Sequence, residues 1–574
     1  MSPYRSSVAL EDEKLVCELR TVVGRRHVLT RAEAVARYAT GFRFGSGVAL
    51  AAVRPGSLVQ LWGIARKCIE AGAIVIPQAA NTGLTGGSTP HGHYDRPVVI
   101  VNTARIRGVY PIDGGRQVIC LAGATLYDLE RVLKPLNRDP HSVIGSSCIG
   151  ATVIGGICNN SGGALLQRGP AFTELALFGR VDETATFRLV NHLGVKLGEE
   201  PESILSRLDR GAFGPGDIEN DPSLRASDVR YAEHVRDVDS ATPARHNADG
   251  RCLFEASGCA GRLLIFAVRL DSFARPAKTA VFYLGSNVAS DFTRLRRDIL
   301  KTFATLPTAA EYMHRSAFRI AERYGKDTFL AIERLGTDRL PLLFAFKAAM
   351  DRFASRWKLG LHLSDRVLQR VGSWAPSGVP ARMIGFRDRF EHHLLLSVSG
   401  SGIAETRNYL SKAFRSRSGD FFECTPEEGR KAFLLRFVVA GAAVRYRAVH
   451  SDSVEDIISL DIALPRNTTE WAEALPPELD SAITHKLYYG HFFCHVFHQD
   501  YVVSKGHDPA AIKDALLRML DDRGAQYPAE HNVGHLYRAK PSLVSFYRSL
   551  DPCNQLNPGI GQTSRHPYWR DDAM

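Results

Sequence analysis

Four histidines, His485, His491, His495 and His498, are packed into the stretch 485–498 of this 574-residue chain. An imidazole titrates near neutrality, so it can take a proton from a substrate or serve as a metal ligand. A group of them is more than the packing of a core requires. On a single strand His491 and His495 share one face and His498 takes the other; on a helix all three line one face. Further on, segment 529–535 (AEHNVGH) sets Glu530 beside His531, a carboxylate next to an imidazole that it can orient. Upstream, Arg445 and Arg447 sit in 443–449 (AVRYRAV), and a guanidinium is the side chain that matches a carboxylate bidentately.

Chemistry beyond proton transfer needs a cofactor, and two glycine-rich stretches offer a place for one. They are 78–88 (QAANTGLTGGS) and 144–163 (IGSSCIGATVIGGICNNSGG). Glycine has no Cβ, so backbone N–H groups in such loops can approach an anionic cofactor closely. The apolar run 73–76 (AIVI) reads as the strand that delivers the first loop. Two loops suit a long, extended dinucleotide better than a single phosphate. Neither G-x-G-x-x-G behind a strand nor G-x-x-x-x-G-K-[ST] occurs, so the Rossmann and P-loop readings lack their fingerprints.

The paired loops resemble the FAD-binding domain of the vanillyl-alcohol-oxidase type. Within that group, 140–163 with 488–491 (YYGH) and 529–535 is similar to the bacterial quinone-dependent D-lactate dehydrogenases, over nearly the whole chain. The resemblance implies FAD contacts from Ala79, Ala80, Asn81, Thr82, Gly83, Gly87 and Ser88, from Gly145, Thr152 and Gly162, and from Ile265. It implies that His531 is the catalytic base, since oxidising a 2-hydroxy acid removes the hydroxyl proton as hydride leaves C2 for the flavin. Arg445 or Arg447, ahead of the strand-like 461–465 (DIALP), would then hold the substrate carboxylate. Related 2-hydroxy-acid dehydrogenases carry G-H-x-G-D-x-N-x-H, whose two histidines and a later glutamate bind a divalent metal. Here His491 and His498 keep that separation and Glu530 the matching place, a set suited to zinc, although 493–495 (FCH) replaces the Gly-Asp-x core. The implied reaction is oxidation of D-lactate to pyruvate with electrons passed to a membrane quinone; D-2-hydroxyglutarate and glycolate are the alternative substrates.

The bulk properties agree with such an enzyme. A chain this long forms more than one core, so two or three domains are expected. With 45% apolar and 23% charged residues it has the composition of a soluble globular protein. Residues 1–14 are charged and show no secretory h-region. The most apolar segment, 437–444 (FVVAGAAV), is bracketed by Arg436 and Arg445 and falls short of the ~20 residues a membrane span needs. Ten cysteines without a C-x-x-C read as reduced thiols rather than a disulfide framework.

The net charge of +11 is concentrated: 315–389 holds fifteen Lys/Arg against seven Asp/Glu, interleaved with aromatics such as Phe318, Trp357 and Trp374. Cations with aromatics suit an anionic phospholipid surface. A basic scaffold binding nucleic acid would use the same residues, but no nucleic-acid module is recognisable and no nucleic acid is expected. The expected location is peripheral, on the cytoplasmic face of a bacterial inner membrane.

These elements must be held by a larger frame. Short strands (73–76, 98–101, 118–121) alternate with helices (58–71, 126–136) in the first third, and alternating runs at 281–284, 393–398 and 457–464 read as a second, mostly antiparallel sheet. The expected fold class is α+β: a vanillyl-alcohol-oxidase/PCMH-type FAD-binding domain, an antiparallel-sheet cap and a basic, largely helical membrane-facing insert. The expected boundaries are 1–271 for the FAD domain, completed by 522–574; 272–313, 390–427 and 452–521 for the cap; and 314–389 with 428–451 for the insert.

Overall fold

The structure, a computed structural model, describes residues 3–142, 149–219, 221–335, 363–374, 376–414 and 418–570. Gly145, one of the expected cofactor contacts, and the middle of the basic segment lie outside the described residues.

The loop 78–88 is delivered by a small sheet. Strand Ile74–Gln78 runs parallel to Val98–Asn102, which runs parallel to Ala51–Val53, and Val28–Leu29 closes the edge antiparallel. Strand Val98–Asn102 is buried along its whole length, as a parallel strand covered on both faces must be. Helix Leu58–Glu70 supplies one cover through Leu61, Ile64, Ala65 and Cys68, and its first turn is capped by Ser57 Oγ, which accepts from Gln60 N–H at 3.2 Å. The end of the chain returns to this sheet. Val75 N–H donates to Gln555 O (3.0 Å) and Asn557 N–H donates to Val75 O (2.9 Å), a parallel bridge centred on Leu556.

A second, five-stranded antiparallel sheet has the order Val109–Ile112, Gln117–Leu121, Leu264–Asp271, Ala176–Val181, Phe187–Asn191. Its central strand is apolar and buried, and the register slips by a residue between Ile265 and Ala267. Thr152 opens the short helix Val153–Cys158, its Oγ1 accepting from Gly155 N–H at 3.2 Å.

The third sheet positions the histidines. Its seven strands run antiparallel in the order Asp420–Glu423, Thr279–Ser286, His392–Ser399, Ala309–His314, Ile483–His491, Val496–Ser504, Val454–Ala463. Both faces are covered. Phe282, Leu284, Tyr312, Leu394 and Leu396 pack to one side with helices Ala289–Thr302 and Gly402–Ala413. The alternate residues Tyr283, Met313 and Leu395 pack to the other, under helices Arg315–Tyr324, Ala381–Arg389 and Pro426–Val449. This is the period-2 pattern with apolar residues on both faces. Helix Pro426–Val449 begins with a capping box: Glu428 N–H donates to Thr425 Oγ1 (3.2 Å) and Thr425 N–H to Glu428 Oε2 (2.8 Å). The apolar run 437–444 lies within it, with Val438, Val439, Ala442 and Ala443 buried against the sheet. Among the described residues no helix is long and apolar enough to cross a membrane.

Candidate active site

Strand register brings the acid and imidazole groups together. Glu311 lies opposite His491, Tyr489 opposite His498, and His498 opposite Asp461. Opposed residues in an antiparallel sheet share a face, so these side chains form one polar patch on the side facing helix Pro426–Val449. The strand between His491 and His498 is not continuous. Phe492–Cys494 forms a 3-10 turn and His495 takes a left-handed conformation at φ 54°. That turn changes which histidines align, so neither a single strand nor a single helix describes the stretch. His495 is buried elsewhere, against Pro465 O at 3.1 Å, and His485 pairs with Tyr446 Oη at 3.0 Å.

The C-terminal segment completes the patch. Ala529 and Glu530 run beside Asp461, with Ala529 N–H donating to Asp461 O (3.0 Å) and Glu530 N–H to Asp461 Oδ2 (2.7 Å). The same Oδ2 lies 2.6 Å from His531 Nδ1, while Oδ1 lies 3.3 Å from His498 Nδ1. Glu530 Oε2 lies 3.2 Å from His491 Nε2 and 3.7 Å from His498 Nε2. On the far side of His491, Nδ1 meets Glu311 Oε1 at 2.5 Å. Glu311 in turn pairs with Arg436 Nε at 3.1 Å, and Arg436 lies over the Tyr489 ring at 4.6 Å. Arg245 pairs with Glu530 Oε1 and donates to Gly163 O, in the second glycine loop, at 2.5 Å.

These contacts set the protonation states. Burial opposes charge on His491, but Glu311 and Glu530 outweigh it and push its pKa up to about 10. Burial would raise Glu530, yet His491 and Arg245 hold it well below the usual carboxylate range. Asp461 is depressed in the same way by His531 and His498. For His531, burial opposes protonation and the Asp461 carboxylate overcomes it, so its pKa lies above the ordinary value. A carboxylate on Nδ1 fixes the tautomer with the proton on that nitrogen and leaves Nε2 to accept one.

The segment 529–535 also threads onto both glycine loops. A Cβ on Gly162 would lie 2.3 Å from Glu530 Oε1, and one on Gly87 would lie 2.8 Å from Asn532 Nδ2. Asn532 Nδ2 donates to Asn159 Oδ1 (2.7 Å) and His535 N–H to Thr85 O (3.0 Å). Gly87 and Gly162 thus leave room for segment 529–535 to pack against both loops. Gly83 and Gly150 are the open positions: among the described residues nothing approaches within 4 Å of a Cβ on either. Asn81, at φ 53°, is held by Nδ2 donating to Thr40 O (2.9 Å) and by Ser88 Oγ donating to its Oδ1 (3.0 Å). Ala79 receives Asn102 Nδ2 at 2.8 Å on its carbonyl, while Ala80 is exposed and Thr82 half-buried. At the entry to the second loop, buried His141 has both ring nitrogens, and Ser142 its Oγ, without a partner among the described residues. An open glycine cradle with orphaned polar groups at its edge fits an extended dinucleotide.

The two arginines chosen from sequence are elsewhere. Arg445 is buried and committed to Asp365 (Nε to Oδ1, 2.7 Å) and Asp327 (3.0 Å), tying together helices Leu363–Trp374 and Lys326–Leu335. Arg447 pairs at the surface with Asp456 at 2.9 Å. The arginine of this helix that reaches the patch is Arg436, more than two turns earlier. Arg445→Met is expected to cost about 1–3 kcal/mol of stability by removing the buried guanidinium that joins Asp327 and Asp365, with KM unchanged; denaturant unfolding and steady-state kinetics check both. Asp461, Glu311, Arg436 and Arg245 were not selected from sequence. An aspartate within the apolar run 457–464 (IISLDIAL) was the one legible signal among them.

Comparison with known proteins agrees with this architecture. Residues 49–173 match the family described as FAD binding domain. Two solved structures superpose over nearly the full chain at 12% identity: 4-ethylphenol oxidase from Gulosibacter chungangensis (TM-score 0.57, covering 96% of this chain and 97% of that one) and p-cresol methylhydroxylase with substrate bound (0.56, 96% and 97%). Fold and site define an FAD-dependent oxidoreductase of the vanillyl-alcohol-oxidase/PCMH type, as the sequence suggested. Residues 281–569 match the family described as D-lactate dehydrogenase, membrane binding. The chain is 55% identical over 569 residues to the quinone-dependent D-lactate dehydrogenase of Escherichia coli (99% of this chain, 100% of that protein). It is 52% identical over 562 residues to that of Haemophilus influenzae (97% and 100%) and 45% over 554 to that of Corynebacterium glutamicum (96% and 97%). The chain belongs to the quinone-dependent D-lactate dehydrogenase family.

Proposed function

We propose that the protein oxidises D-lactate to pyruvate at its FAD and delivers the electrons to a membrane quinone. The observation that carries the reading is the Asp461–His531 pair beside both glycine loops, in a chain so similar to enzymes of that name. Ala79, Ala80, Asn81, Thr82, Gly83, Gly87 and Ser88, with Thr152, Gly162 and Ile265, would hold the FAD. When bound, it supplies a two-electron acceptor for the hydride of substrate C2. His531 takes the hydroxyl proton at Nε2, and Asp461 holds the ring and stabilises the imidazolium that results. Burial of Asp461 and Glu530 keeps bulk water from their shared hydrogen bonds.

The set His491, His498 and Glu530 is proposed as a divalent-metal site. Its ligand atoms lie within 4.8 Å of one another. Both Nε2 atoms face Glu530 while Glu311 and Asp461 hold the two Nδ1 atoms, the carboxylate–histidine arrangement that orients imidazole ligands. A bound ion such as zinc supplies a Lewis acid for substrate oxygens. Elemental analysis is expected to find one divalent ion per chain, and its removal by a chelator is expected to lower kcat/KM roughly 10- to 100-fold, restored by adding the metal.

The reading places the enzyme peripherally on the cytoplasmic face of a bacterial inner membrane, against anionic phospholipid. An open groove lined by Arg323, Lys326, Arg366 and Arg370, with Gln369 and the single acid Glu322, supports this, as does Trp374, 82% exposed on the same helix as Arg366. Cations with an exposed indole suit a headgroup surface. The test of the activity is anaerobic: D-lactate should bleach the visible absorption of the oxidised flavin and L-lactate should not. Bleaching instead by D-2-hydroxyglutarate or glycolate alone would reassign the substrate.

A further inference from the structure

We propose that Arg43 is the cation that receives the substrate's carboxylate, a role that rests on the 2-hydroxy-acid reading above. A carboxylate held beside His531 needs a guanidinium that is within reach and uncommitted. Arg445 and Arg447 are paired with aspartates away from the patch. Arg245 and Arg436 are buried and committed to Glu530 and Glu311, behind the histidines. Arg43 is exposed and makes no ion pair or hydrogen bond among the described residues.

Its position is built rather than accidental. The turn 40–46 is closed by a bridge between Thr40 and Ser46 and by Gly41 N–H donating to Gly45 O at 2.8 Å. Asn81 of the first glycine loop donates to Thr40 O. On the other side Gly45 lies so close to Gly86 that a Cβ on it would be 3.2 Å from Gly86 Cα, and at φ 88° the residue tolerates only glycine well. Phe44 packs on His91 (5.3 Å between ring centres), and His91 stacks on His535 (5.0 Å), four residues beyond His531. Both ends of the turn are therefore anchored to the loop and to the catalytic segment, and its tip, Phe42-Arg43, is left exposed. The anchored turn therefore sets Arg43 beside the first glycine loop and the C-terminal segment that carries His531. A planar guanidinium there, beside an apolar ring, suits the carboxylate and short apolar chain of a small 2-hydroxy acid.

The test uses full-length enzyme with FAD bound, as Arg43→Met and Arg43→Lys. FAD content and the visible spectrum are expected to match the wild type, while kcat/KM for D-lactate falls roughly 10- to 100-fold in Arg43→Met. D-lactate methyl ester, which lacks the anion, should react equally with the wild type and Arg43→Met, and Arg43→Lys, which keeps the charge without the bidentate fork, should recover part of the activity on D-lactate. An equal loss for acid and ester, or loss of FAD, would overturn the proposal in favour of a structural or cofactor role. Should the wild type fail to react with D-lactate, the substrate reading fails separately. Oxalate binding, followed by its perturbation of the flavin spectrum, then decides the arginine: loss of that perturbation in Arg43→Met supports the role and its retention refutes it.

Discussion

Replacing His531 with Asn is expected to lower kcat for D-lactate by about 10²- to 10⁴-fold, the usual worth of a positioned general base, with FAD still bound. The size follows from the geometry. His531 is the imidazole whose Nδ1 is held by Asp461 at 2.6 Å and whose ring remains partly exposed, at 32% of its side chain. His491 and His498 have both ring nitrogens turned to carboxylates, so neither can replace it. Asp461→Asn is the companion variant. It keeps the shape but cannot enforce the same tautomer on His531, and its Oδ2 also accepts from Glu530 N–H, so kcat should fall while KM moves little. Single-turnover reduction of the flavin, mixed anaerobically with D-lactate, measures the step itself. A His531→Asn enzyme that reduced its flavin at the wild-type rate would remove His531 from the chemistry.

Glu530→Ala is expected to cost about 3–5 kcal/mol of stability and to abolish metal retention. Arg245 is 3% exposed at its side chain and Glu530 8%. Deleting the carboxylate leaves the guanidinium buried with one carbonyl partner, Gly163 O, and an unpaired buried charge is among the most destabilising defects a core can carry. His491 loses one of the two glutamates that flank it. Glu530→Gln separates the two consequences. Its amide oxygen can still accept from Arg245, so most of the stability should return, whereas the neutral oxygen is a poor metal ligand and activity should not. Denaturant unfolding, elemental analysis and kinetics on the pair of variants read these effects independently. Equal stability of Glu530→Ala and the wild type would mean that Arg245 finds another partner.

Much of this was legible along the chain. Glycine density at 78–88 and 144–163 points to a cofactor because few other demands concentrate glycine with Asn, Ser and Thr. The Glu530-His531 pair and the His491/His498 separation carry the resemblance on which the proposed base and metal ligands rest. The arginines were misread for a physical reason. On a helix, residues nine apart differ by half a turn in direction and by about 13 Å along the axis, so Arg436, midway along 426–449, and Arg445, near its C-terminal end, meet different partners. Nothing in the local sequence says which of them meets the sheet patch. At Gly87 and Gly162 the structure adds a second reason for glycine: a Cβ there would meet Asn532 or Glu530, and a missing Cβ by itself does not say what approaches.

The sequence by itself determined the class of protein and the cofactor, since these depend on local motifs whose backbone requirements are written in residue type. Only the tertiary structure decided how the site is wired. Arg245, Glu311, Arg436, Asp461, His491, His498 and Glu530 come from segments separated by up to 285 positions. Their pairing is set by the register of antiparallel strands, by a 3-10 turn between two histidines and by the return of the C-terminal segment across both glycine loops. A register slip of one residue would turn the whole polar row to the other face of the sheet, and that choice is made by the packing of both faces together, which no single stretch of the chain encodes.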